Sequence, residues 1–277
     1  MKSFERQYLD IASRILSEGY ETDTRNAVTK SIFGPQLIIS MRDQNEFPLL
    51  TTRKIFHKGI FGELAAFIRG PKNISDFEKQ GCYYWKKWED NKDGDITLSY
   101  GNDWINWGSS TRETGRVKIN QVEDVIHSLK YDPNSRRHII TGWNPAAVHD
   151  GLSLPCCHCF YQYNVSADNT LDLMYYQRSA DWAVGVPSNM AMAYLMLILM
   201  ADEVGMSPGK VIMNFGNAHL YEKHWDDMKE QLKRKPKPNF AKYELDMVGK
   251  SFFNFTPDCI KITEYVHDDP IKYYLYE

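Results

Sequence analysis

The chain has 277 residues, of which 43% are apolar and 25% charged, a balance that supports a folded core and excludes an intrinsically disordered chain. Its formal net charge of −3 offers no global attraction to nucleic acid or to an anionic membrane, so any phosphate recognition must come from locally clustered cations. That length sits near the upper limit for one hydrophobic core and leaves one large domain or two ordinary ones open.

At the N-terminus, MKSFERQYLDIASRIL scatters charges and holds no apolar stretch of signal-peptide length. Residues 3–19 set Phe4, Tyr8, Ile11, Ile15 and Leu16 at helical spacing, with Gly19 where a C-terminal cap belongs. A strand is expected over 31–41 and a helix over 54–69, ended by Gly70-Pro71. Between Gly81 and Trp107 lies an aromatic, Gly- and Asp-punctuated region with four tryptophans, of the kind that lines a site. The pattern then predicts a helix over 119–130 before Asp132-Pro133 and strands over 137–143, 158–165 and 171–178. Residues 188–204 form the strongest helix. Their run AMAYLMLILMA is soon interrupted by Asp202 and Glu203 and reads as a buried helix, not a membrane span. Further strands are expected at 210–215, 242–248 and 259–265. With no repeat, linker or shift in composition, the reading is one mixed α and β domain over 1–277, an α+β fold in which helices pack a mixed sheet.

Cysteine usage is odd in number: Cys82, Cys156, Cys157, Cys159 and Cys259, three of them crowded in one segment without the paired Cys-x-x-Cys spacings of structural zinc. Reduced thiols in a cytoplasmic protein and no metal are expected. SLPCCHCFYQYNV places a cysteine beside His158 at the start of a predicted strand, where a thiol can face a cleft. On that segment alone an inert core cysteine is the commoner outcome.

Downstream, YYQRSADWAVGVPSNMA completes the order Pro-Cys-His, Gln-Arg-Ser-x-Asp, Gly-x-Pro-x-Asn, and this order resembles thymidylate synthases and the related pyrimidine hydroxymethylases. DPNSRRHIITGWNPA, GNAHLYEKH, FPLLTTRK, GELAAF and LSYGNDW follow the family's order almost end to end. The resemblance implies a sheet-mediated homodimer that moves one carbon from 5,10-methylenetetrahydrofolate to C5 of dUMP. It makes Cys157 the nucleophile at C6, Glu63 the acid/base, and Tyr100 an aid in removing the C5 proton, with Arg178 and Asp181 completing the catalytic set. For the phosphate it implies Arg25, Arg178 and Ser179, joined by Arg136 and Arg137 from the second subunit; guanidinium forks suit such a dianion. Asn189 would read the O4 and N3–H edge of uracil, with a helix N-cap as its plain alternative. His219 and Tyr221 would hold the sugar, supported by Gln177 and Asn217. Trp85, Trp88, Asp181, Val184, Gly185, Ser188 and Tyr276 would face the folate. No nucleic acid and no membrane enter as partners.

Several positions depart from the pattern that the resemblance implies. Tyr276 and Glu277 end a tail that is small and apolar in the synthases; Ser188 replaces Phe, Ala183 is smaller than usual, Thr97-Leu98 replace Gly-Pro, and NAVTK replaces a Thr-Gly repeat. More polar surroundings favour water over hydride at the final step, hence 5-hydroxymethyl-dUMP over dTMP, with dTMP synthesis the runner-up. A dCMP hydroxymethylase and an inactive nucleotide-binding homologue stand behind both. Hydroxymethylases of this kind serve DNA viruses, so the host cytoplasm of a virus fits the reading.

Overall fold

Ser3 accepts a hydrogen bond from the N–H of Arg6 and starts helix α1 (Phe4–Glu18), whose buried face carries Phe4, Tyr8, Leu9, Ile11, Ala12 and Ile15. Gly19 follows with extended, not left-handed, backbone, and is required by close approach: a Cβ there would stand 2.3 Å from the carbonyl oxygen of Ile15. In the computed structural model the described residues are 2–88, 94, 100–108, 118–145, 155–166 and 168–276, without the side chains of Lys87, Trp88 and Tyr100.

The strand expected over 31–41 is two strands. β1 (Tyr20–Asp23) pairs antiparallel with β2 (Val28–Phe33), and a break at Gly34 (φ 78°) and Pro35 precedes β3 (Gln36–Ser40). Both β2 and β3 pair with β8 (Ser207–Tyr221), the former along 217–221 and the latter along 210–214. With β5 (Ile139–Thr141), β6 (His158–Val165) and β7 (Thr170–Asp181) they build a seven-stranded sheet in the order β1-β2-β8-β7-β6-β5, β3 lying off that path on β8. A small antiparallel sheet joins β4 (Glu46–Phe47), β9 (Ala241–Leu245) and β10 (Ile260–Glu264). This is a mixed α+β domain, as the sequence predicts.

Only β7 and β8 run parallel in the described ladders, and a parallel pair needs a crossover. Helix α6 (Gly185–Val204) supplies it, three residues earlier than the periodicity suggests, and ends on Gly205 at φ 71°. By length and composition α6 is apolar enough to cross a membrane. Here it is a core helix: nearly every residue from Met190 to Ala201 is buried, and it packs on β7, β8, α2 (His57–Phe67) and α5 (Gln121–Tyr131). Helix α1 packs on β2, β3 and β8, and α5 on β5. Along β7, Leu171, Leu173, Tyr175 and Gln177 point into this layer, whereas Met174 and Tyr176 on the opposite face are 43% and 38% exposed.

Elements that the pattern does not predict are short or polar. Helix α3 (Ile74–Glu78) is held by a capping box of Asn73 and Asp76, α4 spans Tyr100–Ile105, and α7 (Trp225–Lys233) buries only Met228 and Gln231. Glu5 ties the loop after β4 to α1. Its buried carboxylate accepts from the N–H of Thr51 (2.7 Å), the hydroxyl of Thr51 (2.6 Å) and the N–H of Thr52 (2.8 Å), fixing the loop that leads to Arg53. Glu5→Ala strands two buried N–H groups and is expected to lower unfolding stability by about 2–4 kcal/mol. A urea midpoint unchanged from the parent would show that this carboxylate does not anchor the loop.

Candidate active site

The cleft, about 720 Å³, opens where β6 begins and β7 ends. In β6, His158 faces Gln177 and Phe160 faces Tyr176, so Cys159 is an extra residue, a bulge that breaks the alternation beside the cleft. The bulge separates the three cysteines. Cys156 is buried with its thiol 3.1 Å from the carbonyl of His158, and burial raises its pKa well above the ordinary value. Cys159 is buried too, its thiol directed at the carbonyls of Cys156 and Cys157 and its pKa raised by burial. Cys157 alone of the three is half-buried and lines the cleft. Gly142 makes this packing possible, since a Cβ there would come within 2.8 Å of the Cys156 sulfur.

Arg178, on β7, holds the loop before the nucleophile candidate. Its backbone N–H donates to the carbonyl of Cys157 (3.0 Å), Nε to that of Cys156 (2.9 Å) and Nη2 to that of Pro155 (2.6 Å), while the guanidinium lies 5.4 Å from the Trp143 ring centre. It faces the same cleft as Cys157.

One backbone carbonyl orients the polar wall. The oxygen of Ser179 can only accept, so the atom of Gln177 that lies 2.9 Å from it is the amide nitrogen. That same nitrogen donates to Oδ1 of Asn189 (3.0 Å), which turns the Asn189 Nδ2 toward Nε2 of His158 (2.9 Å). His158 therefore accepts on Nε2 and carries its proton on Nδ1, 3.3 Å from the Tyr161 hydroxyl. Burial lowers the His158 pKa to about 3, so the ring is neutral and the direction of every bond follows. Asn189 keeps one N–H and one lone pair for the cleft it lines. It stands within α6, which starts at Gly185, so the helix N-cap alternative is incorrect. The turn before α6 is tightened instead by Asp181, whose Oδ1 accepts from the N–H groups of Ala183 (3.0 Å) and Val184 (3.2 Å).

Across the cleft, Glu63 of α2 is buried, and its carboxylate accepts from the Tyr84 hydroxyl (2.6 Å) and the Trp85 indole N–H (2.7 Å). Burial raises its pKa to about 7, against the lowering effect of those two donors. Such a carboxyl exchanges protons near neutrality. Trp85 lines the cleft, but one face of its ring is stacked on Phe77 at 4.6 Å, so it supports Glu63 and offers a ligand only the remainder.

Val184, Gly185 and Ser188 follow along the same wall, and the segment 275–276 continues it: Leu275 and Tyr276 line the cleft, with Tyr276 stacked on Tyr221 at 4.2 Å. The strand register sets Ser179 opposite Asn217 and Asp181 opposite His219. Asn217 Oδ1 accepts from His219 Nδ1 (3.0 Å), and burial lowers the His219 pKa, which leaves Nε2 of a neutral ring as an acceptor. Arg25 is exposed and borders both the cleft and an adjoining hydroxyl-rich pocket of about 390 Å³ that includes Thr22, Thr24 and Ser31. Arg136 and Arg137 are exposed at the edge strand β5 and do not reach the cleft of their own chain. The side chains of Tyr100 and Trp88, together with Thr97, Leu98 and Glu277, lie outside the described residues. Tyr84 and His158 are the partners that motif reading assigns no role. Their signal was adjacency, to Trp85 and to Cys157. A comparison with family models adds that the model described as thymidylate synthase matches residues 6–276.

The raised Glu63 pKa fixes a sign. A carboxyl that binds its proton more tightly when folded contributes stability that is present below pH 4.5 and lost as pH rises through about 7. Glu63→Gln keeps both neighbours hydrogen-bonded and removes this loss, so its stability relative to the parent should grow over that window by about 3 kcal/mol and then level off. Parallel denaturation curves for the two proteins from pH 4 to 8 would contradict the buried, protonatable carboxyl.

Proposed function

The chain belongs to the thymidylate synthase family, and from that premise we propose that it transfers one carbon to C5 of dUMP and finishes by adding water, giving 5-hydroxymethyl-dUMP. Membership itself supports folate-dependent one-carbon transfer; the product is our reading. The observation that carries the site is the convergence of the one half-buried thiol of its segment, Cys157, with the protonatable Glu63 and the oriented amide of Asn189 on a single cleft.

In this mechanism the Cys157 sulfur adds to C6 of the ring and the C5–C6 π electrons move toward O4, which makes C5 nucleophilic. Arg178 holds the Pro155–Cys157 backbone in place for that addition. Asn189 presents its remaining N–H to O4 and its remaining lone pair to N3–H, the pattern of uracil, which supports dUMP over dCMP. Glu63 donates toward O4 and later takes the proton back. Arg25, Arg178 and Ser179 receive the phosphate, and His219 and Tyr221 the sugar.

5,10-Methylenetetrahydrofolate supplies the carbon when bound. Its place fits the wall formed by Trp85, Val184, Gly185 and Leu275, apolar along its length and acidic at Asp181. Loss of the C5 proton and departure of tetrahydrofolate would leave an exocyclic methylene at C5; water adding to it as Cys157 leaves C6 would give 5-hydroxymethyl-dUMP, whereas hydride from that tetrahydrofolate would give dTMP and dihydrofolate. Two features support water. Ser188 offers a hydroxyl on the wall, and the Tyr276 hydroxyl is buried with no hydrogen-bond partner among the described residues. The intact Cys157, Glu63 and Asn189 set speaks against an inactive homologue.

We also propose a homodimer formed through the sheet face that carries Met174 and Tyr176, with Arg136 and Arg137 entering the partner's site. The residues that alternate with them on β7, Leu171, Leu173 and Tyr175, are buried.

Incubation with dUMP and methylenetetrahydrofolate should yield tetrahydrofolate and a nucleotide one oxygen heavier than dTMP. Dihydrofolate with dTMP would overturn the choice of product, and conversion of dCMP alone would overturn the base assignment. Cys157→Ala should bind nucleotide and make no product; unchanged turnover would remove the mechanism. Mixing Cys157→Ala with an Arg136→Ala/Arg137→Ala chain should recover activity that each lacks, because one site of each mixed dimer is whole. No recovery from a demonstrably mixed dimer would exclude the shared site.

A further inference from the structure

His224 lies between the C-terminal segment and the turn that carries Asp181. It ends the 3-10 turn Glu222–His224 that follows β8 and is wholly buried. Tyr221, Tyr273 and Tyr276 surround its ring edge-on, with centroids 5.7, 5.4 and 5.6 Å away. Nε2 lies 2.6 Å from the carbonyl oxygen of Tyr274, and since a carbonyl only accepts, the proton is on Nε2. Nδ1 then faces Asp181 Oδ1 at 3.7 Å. No hydrogen-bond partner satisfies that buried nitrogen among the described residues.

A buried polar ring held at one nitrogen by the tail and left without a hydrogen bond at the other, 3.7 Å from a carboxylate, is not needed for packing, because a phenyl group fills the same space. The Asp181 atom it faces is the one that accepts from Ala183 and Val184 and so sets the turn into α6. A second link runs beside it: Arg53 donates to the carbonyl of Ala183 at 2.5 Å while its guanidinium lies 5.0 Å from the Tyr273 ring centre. Tyr273 is itself anchored, donating to Gln231 (2.8 Å) on α7. Residues 273–276 and the turn 181–184 therefore share connectors, and of the two only His224 reaches the acid and the tail backbone together.

We propose that His224 is a positioning residue that latches residues 273–276 to the Asp181 turn, so that a closed tail and a correctly set folate wall form one arrangement. The proposal rests on the reading of that wall as the folate site. Loss of the Nε2 donor leaves the Tyr274 carbonyl unpartnered and frees the tail, loosening the turn with it.

Two readouts separate the latch from the reading it rests on. In the chain without ligands, release of C-terminal residues by a carboxypeptidase, followed by mass spectrometry, should be about tenfold faster for His224→Phe than for the parent, the effect of one hydrogen bond. His224→Gln, which keeps an N–H in reach, should restore protection. With substrates, the Phe variant should raise the folate KM by a similar factor with a smaller change in kcat. In chains lacking residues 272–277, His224→Phe should alter folate binding no further. A tail equally protected in the Phe variant and the parent overturns the latch, and so does a Phe effect that persists without the tail. Altered protection with no folate turnover in any variant would instead count against the functional reading alone. Should His224→Phe fail to fold, His224→Asn, too short to reach Tyr274, carries the same comparisons.

Discussion

The parallel pairing of β7 with β8 is the constraint from which the site follows. Two parallel neighbours cannot be joined by a tight turn, so the chain must leave the end of β7, cross over the sheet and return. It leaves at Asp181 and crosses as α6, placing the first turns of a buried helix directly above the strand ends. Asn189 projects from that helix, Gln177 and Arg178 from β7, and His219 and Tyr221 from β8, so residues distant in sequence meet without any long loop. The antiparallel strand β6 contributes the last member, because its start lies beside the end of β7 and its bulge turns Cys157 to the opening.

Polar groups in the site are held by partners that leave little freedom. The carbonyl of Ser179 dictates the Gln177 amide, that amide dictates Asn189, and Asn189 dictates the proton on His158. In the proposed function an oriented amide next to a neutral histidine would meet a pyrimidine edge without rearranging, which is the value of preorganisation. Glu63 is treated in the opposite way. Two donors hold it in place, yet burial outweighs them and keeps its proton exchangeable near pH 7.

Much of the fold was legible because its long elements are strongly periodic. Helices α1, α5 and α6 and strands β6 and β7 stand within a few residues of their expected bounds. The break at Gly34-Pro35 was masked by continuous β-formers on either side, and β8 proved longer than 210–215 because its outer half pairs with β2 through residues such as Asn217, Ala218 and His219 that carry no strand signature. Helix α7 hides in a charged segment that buries two side chains. The site residues were found through motif order, not through periodicity, and their partners were not. Tyr84 and His224 hold neighbours in three dimensions at separations that no local pattern encodes, 21 residues to Glu63 in one case and 50 to Tyr274 in the other.

Residues 275 and 276 form part of the pocket, with Leu275 and Tyr276 lining the cleft and Tyr276 against Tyr221. A pocket built this way answers to a stretch that contributes nothing to the buried core. Substitutions at Leu275 or Tyr276 therefore reshape the wall a ligand meets while leaving the buried core intact.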